Sequence, residues 1–140
     1  VLGLLLCVLV GCSDPTGGGE STIEYHENGQ KARERAYKNG KQEGVETYWY
    51  PNGQKAGEGT FKDGKAEGVW TRWHDNRQKR NEGTYKDDKM EGVWTTWHEN
   101  GQKREEGTYK DGWKEGVWTY WLENGQKQME GTYKNGELVK

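Results

Sequence analysis

The sequence predicts an all-β protein, an elongated single-layer antiparallel meander of tandem β-hairpins with a period of 24 residues. Three observations predict it. Aromatic residues recur at that fixed interval, each interval carries two tight-turn signals, and the segments between turns are rich in Trp, Tyr, Thr and Val. Such residues fit a pleated, half-buried strand surface, and self-similarity at a fixed period is the mark of a repeat architecture.

The chain opens with an apolar run, Val1 to Val10, too short to span a bilayer but suited to the apolar segment of a secretory signal. Its end, Leu9-Val10-Gly11-Cys12, resembles a bacterial lipobox. That resemblance implies a signal over residues 1–11, cleavage after Gly11 and acyl chains on Cys12. The lipid anchor would then hold the chain to a membrane of the bacterial cell envelope, at the outer membrane or the cell surface. Cys7 would be lost with the signal, leaving Cys12 alone and no intramolecular disulfide. Residues 12–24 are expected to form a tether, with 13–22 rich in Gly, Ser and Thr and spanning about 15 to 20 Å as a coil.

Composition limits what can follow. Only 29% of the residues are hydrophobic and the mean hydropathy is -1.31, which excludes a large aliphatic core. Disorder is opposed by eight Trp and eight Tyr and by a formal net charge of only -2, so the chain is expected to fold through its aromatic residues. With 21 basic against 23 acidic residues there is no electrostatic case for nucleic acid or an anionic membrane surface.

From Tyr25 the chain divides into five units, 25–48, 49–72, 73–96, 97–120 and 121–140. Tyr25, Trp49, Trp73, Trp97 and Trp121 hold one repeat position, and Trp70, Trp94 and Trp118 another. The first turn signal is Asn-Gly, at Asn28-Gly29, Asn52-Gly53, Asn100-Gly101 and Asn124-Gly125; the second is Asn-Gly or Asp-Gly, as at Asp63-Gly64 and Asp111-Gly112. Both suit two-residue type I′ turns, which require positive φ at both central residues. On that basis paired positions around Asn100-Gly101 sum to 201, which sets Trp94 against Gly107 and Tyr109 against Gly92. The same rule sets Trp70 against Gly83 and Trp118 against Gly131, and around Asp111-Gly112 it sets Gly107 against Gly116 as a column of glycines. A ring lying over a cross-strand glycine restores the packing that glycine lacks. Alternation places Trp94, Thr96, Gly107, Tyr109, Gly116, Trp118 and Tyr120 on one face, and Val93, Thr95, Trp97, Arg104, Glu106, Val117 and Trp121 on the other. Trp97 is then expected opposite Arg104, and Trp73 opposite Arg80, as cation-π pairs.

The segments Glu58 to Trp70 and Glu106 to Trp118 resemble the bacterial variant of the MORN repeat, in which a Gly-x-aromatic-x-x-Gly half alternates with an aromatic-x-x-Asn-Gly half. The resemblance covers residues 25–140 and implies an open array of hairpins used in binding or scaffolding. It also raises an antitoxin-like role, inhibition of a partner protein, because some bacterial relatives are antitoxins. The third unit departs from the pattern, with Asn76-Arg77 and Asp87-Asp88 at its turns, which are expected to change type or lengthen and make the unit a candidate bend or soft spot. Glu46 stands where later units have Trp, which suggests a polar cap.

No catalytic constellation emerges. His26, His74 and His98 share one repeat position, about 9.5 Å apart at two strands per unit, and read as solvated strand-end residues and not as metal ligands. Serine occurs only at Ser13 and Ser21, so a serine triad is excluded, and the carboxylates recur with the repeat. No enzyme activity, cofactor or metal is expected. The candidate binding surface is Trp113, Trp94, Trp118, Tyr109 and Tyr120, with Trp113 foremost because Lys41, Lys65 and Lys89 fill its position elsewhere. The expected partner is a protein, with cell-wall glycan as the alternative.

Overall fold

A computed structural model describes residues 7–8 and 19–139 of the chain, so Cys12 and its expected lipid lie outside the described residues. The chain forms one 13-stranded antiparallel sheet, with no helix among the described residues. Its strands are β1 (Cys7–Val8), β2 (Gly19–Tyr25), β3 (Lys31–Lys38), β4 (Lys41–Gln42), β5 (Gly44–Trp49), β6 (Lys55–Lys62) and β7 (Lys65–Trp73). There follow β8 (Lys79–Lys86), β9 (Lys89–Trp97), β10 (Lys103–Lys110), β11 (Trp113–Trp121), β12 (Lys127–Lys134) and β13 (Glu137–Leu138). Each strand pairs with its neighbours in sequence, except that β4 and β5 both pair with β3 because Glu43 interrupts what is one strand in later units. The sheet also begins earlier than composition suggests. Gly19 to Glu24, expected in the tether, belong to β2 and pair with β3 from Gly19↔Lys38 to Glu24↔Arg33.

The second turn of each unit is the expected type I′, with Asp111 at φ 51° and Gly112 at 89°. The Asn-Gly turn is not. Only its glycine has positive φ, the N–H of Gly101 donates to the carbonyl of His98, and the N–H of His98 donates to the carbonyl of Gln102. This is a three-residue loop ending in a left-handed glycine, and its Asn side chain accepts from the Gln102 N–H at 3.0 Å. A bulge then compensates for the extra loop residue. Trp97 pairs with Lys103, Arg104 bulges out, and from Thr96↔Glu105 onward the pairs sum to 201, with Trp94 opposite Gly107 and Tyr109 opposite Gly92 as expected. The Trp97–Arg104 and Trp73–Arg80 pairings therefore do not form. Lysines replace them, since Trp73 pairs with Lys79.

A second bulge falls in the strand after each Asp-Gly turn. Thr108 pairs with Glu115 but Glu106 pairs with Thr119, so Gly116, at φ 73°, is displaced and the expected Gly107–Gly116 column is absent. The bulge swings Trp118 over β10. A Cβ placed on Gly107 would lie 2.2 Å from Trp118 Cδ2, one on Gly83 2.2 Å from Trp94 Cδ2, and one on Gly59 2.0 Å from Trp70 Cδ2. The register expectation is met, but each ring covers the glycine on its other side, in the preceding hairpin.

Successive units are tied along both edges of the sheet. On one edge the Nε2–H of His26, His74 and His98 donates to the carbonyls of Trp49, Trp97 and Trp121, and Tyr50 Oη does the same to Trp73 at 2.7 Å. On the other, Glu43, Glu67, Glu91 and Glu115 accept the turn N–H groups of Asp63, Asp87, Asp111 and Asn135. The histidines are thus half-buried latches between units and not solvated strand ends.

The third unit keeps both turns. Arg77 takes the glycine position at φ 70°, and Asp87 and Asp88 stand at 49° and 67°. The expected change of turn type does not occur, because stacking on neighbours holds the geometry. Asp88 accepts the Ala66 N–H through Oδ1 at 2.7 Å while its own N–H donates to the Ala66 carbonyl, and Lys65 pairs with Asp87 at 3.0 Å.

Candidate functional site

The two faces of the sheet differ in kind. One carries a continuous aromatic ladder, Tyr48, Trp70, Tyr85, Trp94, Tyr109, Trp118 and Tyr133, with Phe61 alongside Trp70. Centroids are 5.0 to 6.4 Å apart, and every contact except the tilted Tyr48–Trp70 pair is edge-to-face, the arrangement ring quadrupoles favour. Trp118 is 2% exposed and Trp70 6%, so the ladder is the core of this thin protein. The indole N–H groups of Trp94 and Trp118 donate to the carbonyls of Thr84 and Thr108.

The ladder ends in charge at both sides. Toward the amino end Glu46, the residue that suggested a polar cap, is completely buried and ion-paired with Arg33, whose guanidinium also lies 5.0 Å from the Tyr48 ring. Burial pushes the Tyr48 phenol up, and the Glu46 carboxylate adds to the shift. Arg35 pairs with Glu24 beside them. By the repeat, Arg35 stands where Gly59, Gly83 and Gly107 do, and Glu46 where Trp70, Trp94 and Trp118 do, so an ionic pair of positions replaces ring on glycine. Toward the carboxyl end Lys114 Nζ sits 3.8 Å from the Trp118 ring centroid and bonds Glu105 at 3.2 Å and Tyr120 Oη at 3.0 Å. Tyr120 and Tyr133 share a hydroxyl contact of 3.0 Å that, with burial, raises the Tyr133 phenol.

The opposite face is open to solvent. Val69 and Val93 are each 62% exposed, and Val45 and Val117 belong to the same row. Beside it, Thr71, Thr95 and Thr119 donate to Glu82, Glu106 and Glu130, which also take Lys79, Lys103 and Lys127. These lysines, led by their hydrogen bonds, hold the carboxyls of Glu82, Glu106 and Glu130 below the ordinary glutamate range. Lys31, Lys55, Lys79 and Lys103 also lie over Trp49, Trp73, Trp97 and Trp121 of the next unit, at 5.6 to 5.8 Å.

The five residues expected to form one binding surface are divided. Trp94, Tyr109 and Trp118 are successive members of the ladder, and Tyr120 joins them through Lys114. Trp113 is on the other face, because Lys114 next to it points to the ladder. It is 62% exposed, with its ring edge over the Asn135-Gly136 turn. Sequence reasoning missed the latches and the Glu46 pairing. A signal existed for the first, since His26, Tyr50, His74 and His98 all carry a donor at one repeat position.

The profile of the MORN repeat variant family matches residues 21–39, 42–63, 90–111 and 114–135. It passes over the unit between 63 and 90, which holds Arg77 and Asp87, although that unit has the same geometry as the rest. A comparison with curated proteins finds no match. Among solved structures, TarM aligns over 94% of this chain at 10% identity with a TM-score of 0.42. The GtfA/B complex bound to UDP and GlcNAc aligns over 93% at 12% identity with a TM-score of 0.32. The chain spans only 21% and 27% of those chains' lengths, and neither likeness carries an argument. Four profile matches at the 24-residue spacing of the hairpins place the chain in a family: it belongs to the MORN repeat variant family.

Proposed function

We propose that this chain is a membrane-anchored, non-catalytic repeat scaffold that binds a protein partner at the bacterial cell envelope. The observation that carries the binding half is the solvent-open face, where Val45, Val69, Val93, Val117 and Trp113 lie exposed on a sheet whose other face is occupied by its own core. An exposed tryptophan that the repeat does not require is the residue type that anchors protein interfaces. The anchoring half is supported by Leu9-Val10-Gly11-Cys12.

Two experiments separate these halves. Cys12→Ala should release the protein from the membrane fraction; unchanged fractionation removes the anchor from the proposal. Site-specific photocrosslinking from position 93 or 113 should trap one discrete partner, whereas crosslinking from the ladder position Trp118 should trap none. A partner trapped equally from both faces contradicts the assignment of the binding face. Cell-wall glycan remains the second reading, supported by the exposed Trp113 ring. It requires a saturable change in tryptophan emission on adding glycan, abolished by Trp113→Ala.

A further inference from the structure

One stretch of the ladder face departs from the repeat and forms a depression. Its floor is Gly57 and Ala66, both buried, where the equivalent positions of other units hold Arg33, Asn81, Glu105 and Met129, or Gln42, Met90 and Lys114. Two adjoining concavities result, of about 290 and 220 Å³, and both are lined by Tyr48 and Arg72. Their closeness to the floor is direct: a Cβ on Gly57 would meet the Tyr48 ring at 3.2 Å and Arg72 Cγ at 3.4 Å. Trp70, beside Ala66, also differs from its equivalents, since its buried indole N–H lacks the carbonyl partner that Trp94 and Trp118 have.

The chemistry at the rim is cationic. Arg72 lines both concavities and Arg80 one of them, and neither makes an ion pair among the described residues, although most lysines of the sheet do. The one acid present, Asp88, is engaged by the Ala66 N–H. Aromatic walls with two unpaired guanidinium groups suit a planar-faced body that carries an anion, because rings pack on the apolar C–H faces of sugars and guanidinium binds carboxylate through paired donors.

We propose that this depression binds an acidic sugar, a pyranose ring packed on the aromatic walls with its anionic group held by Arg72 and Arg80. The site is distinct from the open face assigned to protein binding and stands or falls separately from it. The test is titration of the full chain with glucuronate, glucose 6-phosphate and glucose, followed by nitrogen-edited NMR of the Trp70 indole and Arg72 Nε–H signals. Glucuronate should give saturable shifts at both signals. Arg72→Gln should weaken binding about tenfold, the loss of a charge-assisted contact. Ala66→Met, which installs the residue of the next unit, should abolish it while leaving the fold intact. Saturation by glucose 6-phosphate as well supports the site and identifies the negative charge as the feature read. An equal response to neutral glucose, binding that survives Ala66→Met, or tighter binding of an acidic dipeptide such as acetyl-Glu-Tyr would overturn the proposal.

Discussion

Gly83→Ala is the smallest change that reaches the packing device of this protein. The added methyl would stand 2.2 Å from both Cδ2 and Cε2 of Trp94, where ordinary contact begins near 3.4 Å, so the indole must lift by more than an ångström. Lifting it breaks the bond from its N–H to the Thr84 carbonyl at 3.2 Å and disturbs the edge contacts to Tyr85 and Tyr109 at 5.3 and 5.9 Å. Overpacking of this kind costs about 1 to 3 kcal/mol and the lost hydrogen bond about 1 kcal/mol, against a gain of roughly 0.5 to 1 kcal/mol from a stiffer unfolded chain. The net expectation is a destabilisation of about 1 to 3.5 kcal/mol. The assay is urea denaturation followed by tryptophan fluorescence, run as a double-mutant cycle with Trp94→Ala. In the Trp94→Ala background the three atoms nearest the methyl are gone, and Gly83→Ala should be neutral or slightly stabilising. A cost that is the same in both backgrounds, or no cost in the parent chain, refutes the claim that the ring rests on Gly83.

Other consequences are equally open to measurement. Arg77→Gly relieves a left-handed residue at φ 70° and should stabilise the chain by about 1 kcal/mol in the same denaturation assay. His98→Ala removes the latch to the Trp121 carbonyl and should cost about 1 kcal/mol, while His98→Tyr should be tolerated because Tyr50 makes the equivalent bond. Glu46→Trp alone should be destabilising because Arg35 holds the position of the matching glycine, and adding Arg35→Gly should recover stability by extending the ladder; thermal melts of the single and double variants decide it. Folding depresses the carboxyls of Glu82 and Glu106, so their contribution is present above the ordinary glutamate range and is lost as pH falls from that range through the lower folded-state values. A stability profile against pH should therefore fall in acid, and less steeply in Lys79→Gln.

Much of this architecture is legible in the sequence because the period is strict. The spacing of Trp70, Trp94 and Trp118 fixes the unit, and the pairing of Trp94 with Gly107 follows from turn position alone. That pairing came out correctly through two compensating features: a loop one residue longer than expected, and a bulge at Arg104 that restores the count. Side-chain lean is not legible in this way. The ring of Trp94 turns to Gly83 at the bulge of Gly92, and register alone, which leaves a glycine on each flank of the ring, does not decide which one it covers. The third unit departs from its expectation for a related reason, since the cost of positive φ at Asp88 is local while the contact that offsets it comes from the neighbouring unit. The depression over Gly57 and Ala66 was hidden because small residues draw attention only once the neighbours that fail to fill the space are known.

The most direct test is a set of nuclear Overhauser contacts from the ring protons of Trp94. Contacts to the Hα protons of Gly83, with those protons shifted strongly by the ring current, are the result expected if each hairpin is roofed by the tryptophan of the next. Contacts to Gly107 in their place would mean that the rings lie across their own Asn-Gly hairpins, and the claim that each tryptophan packs back over the glycine of the preceding strand would be wrong.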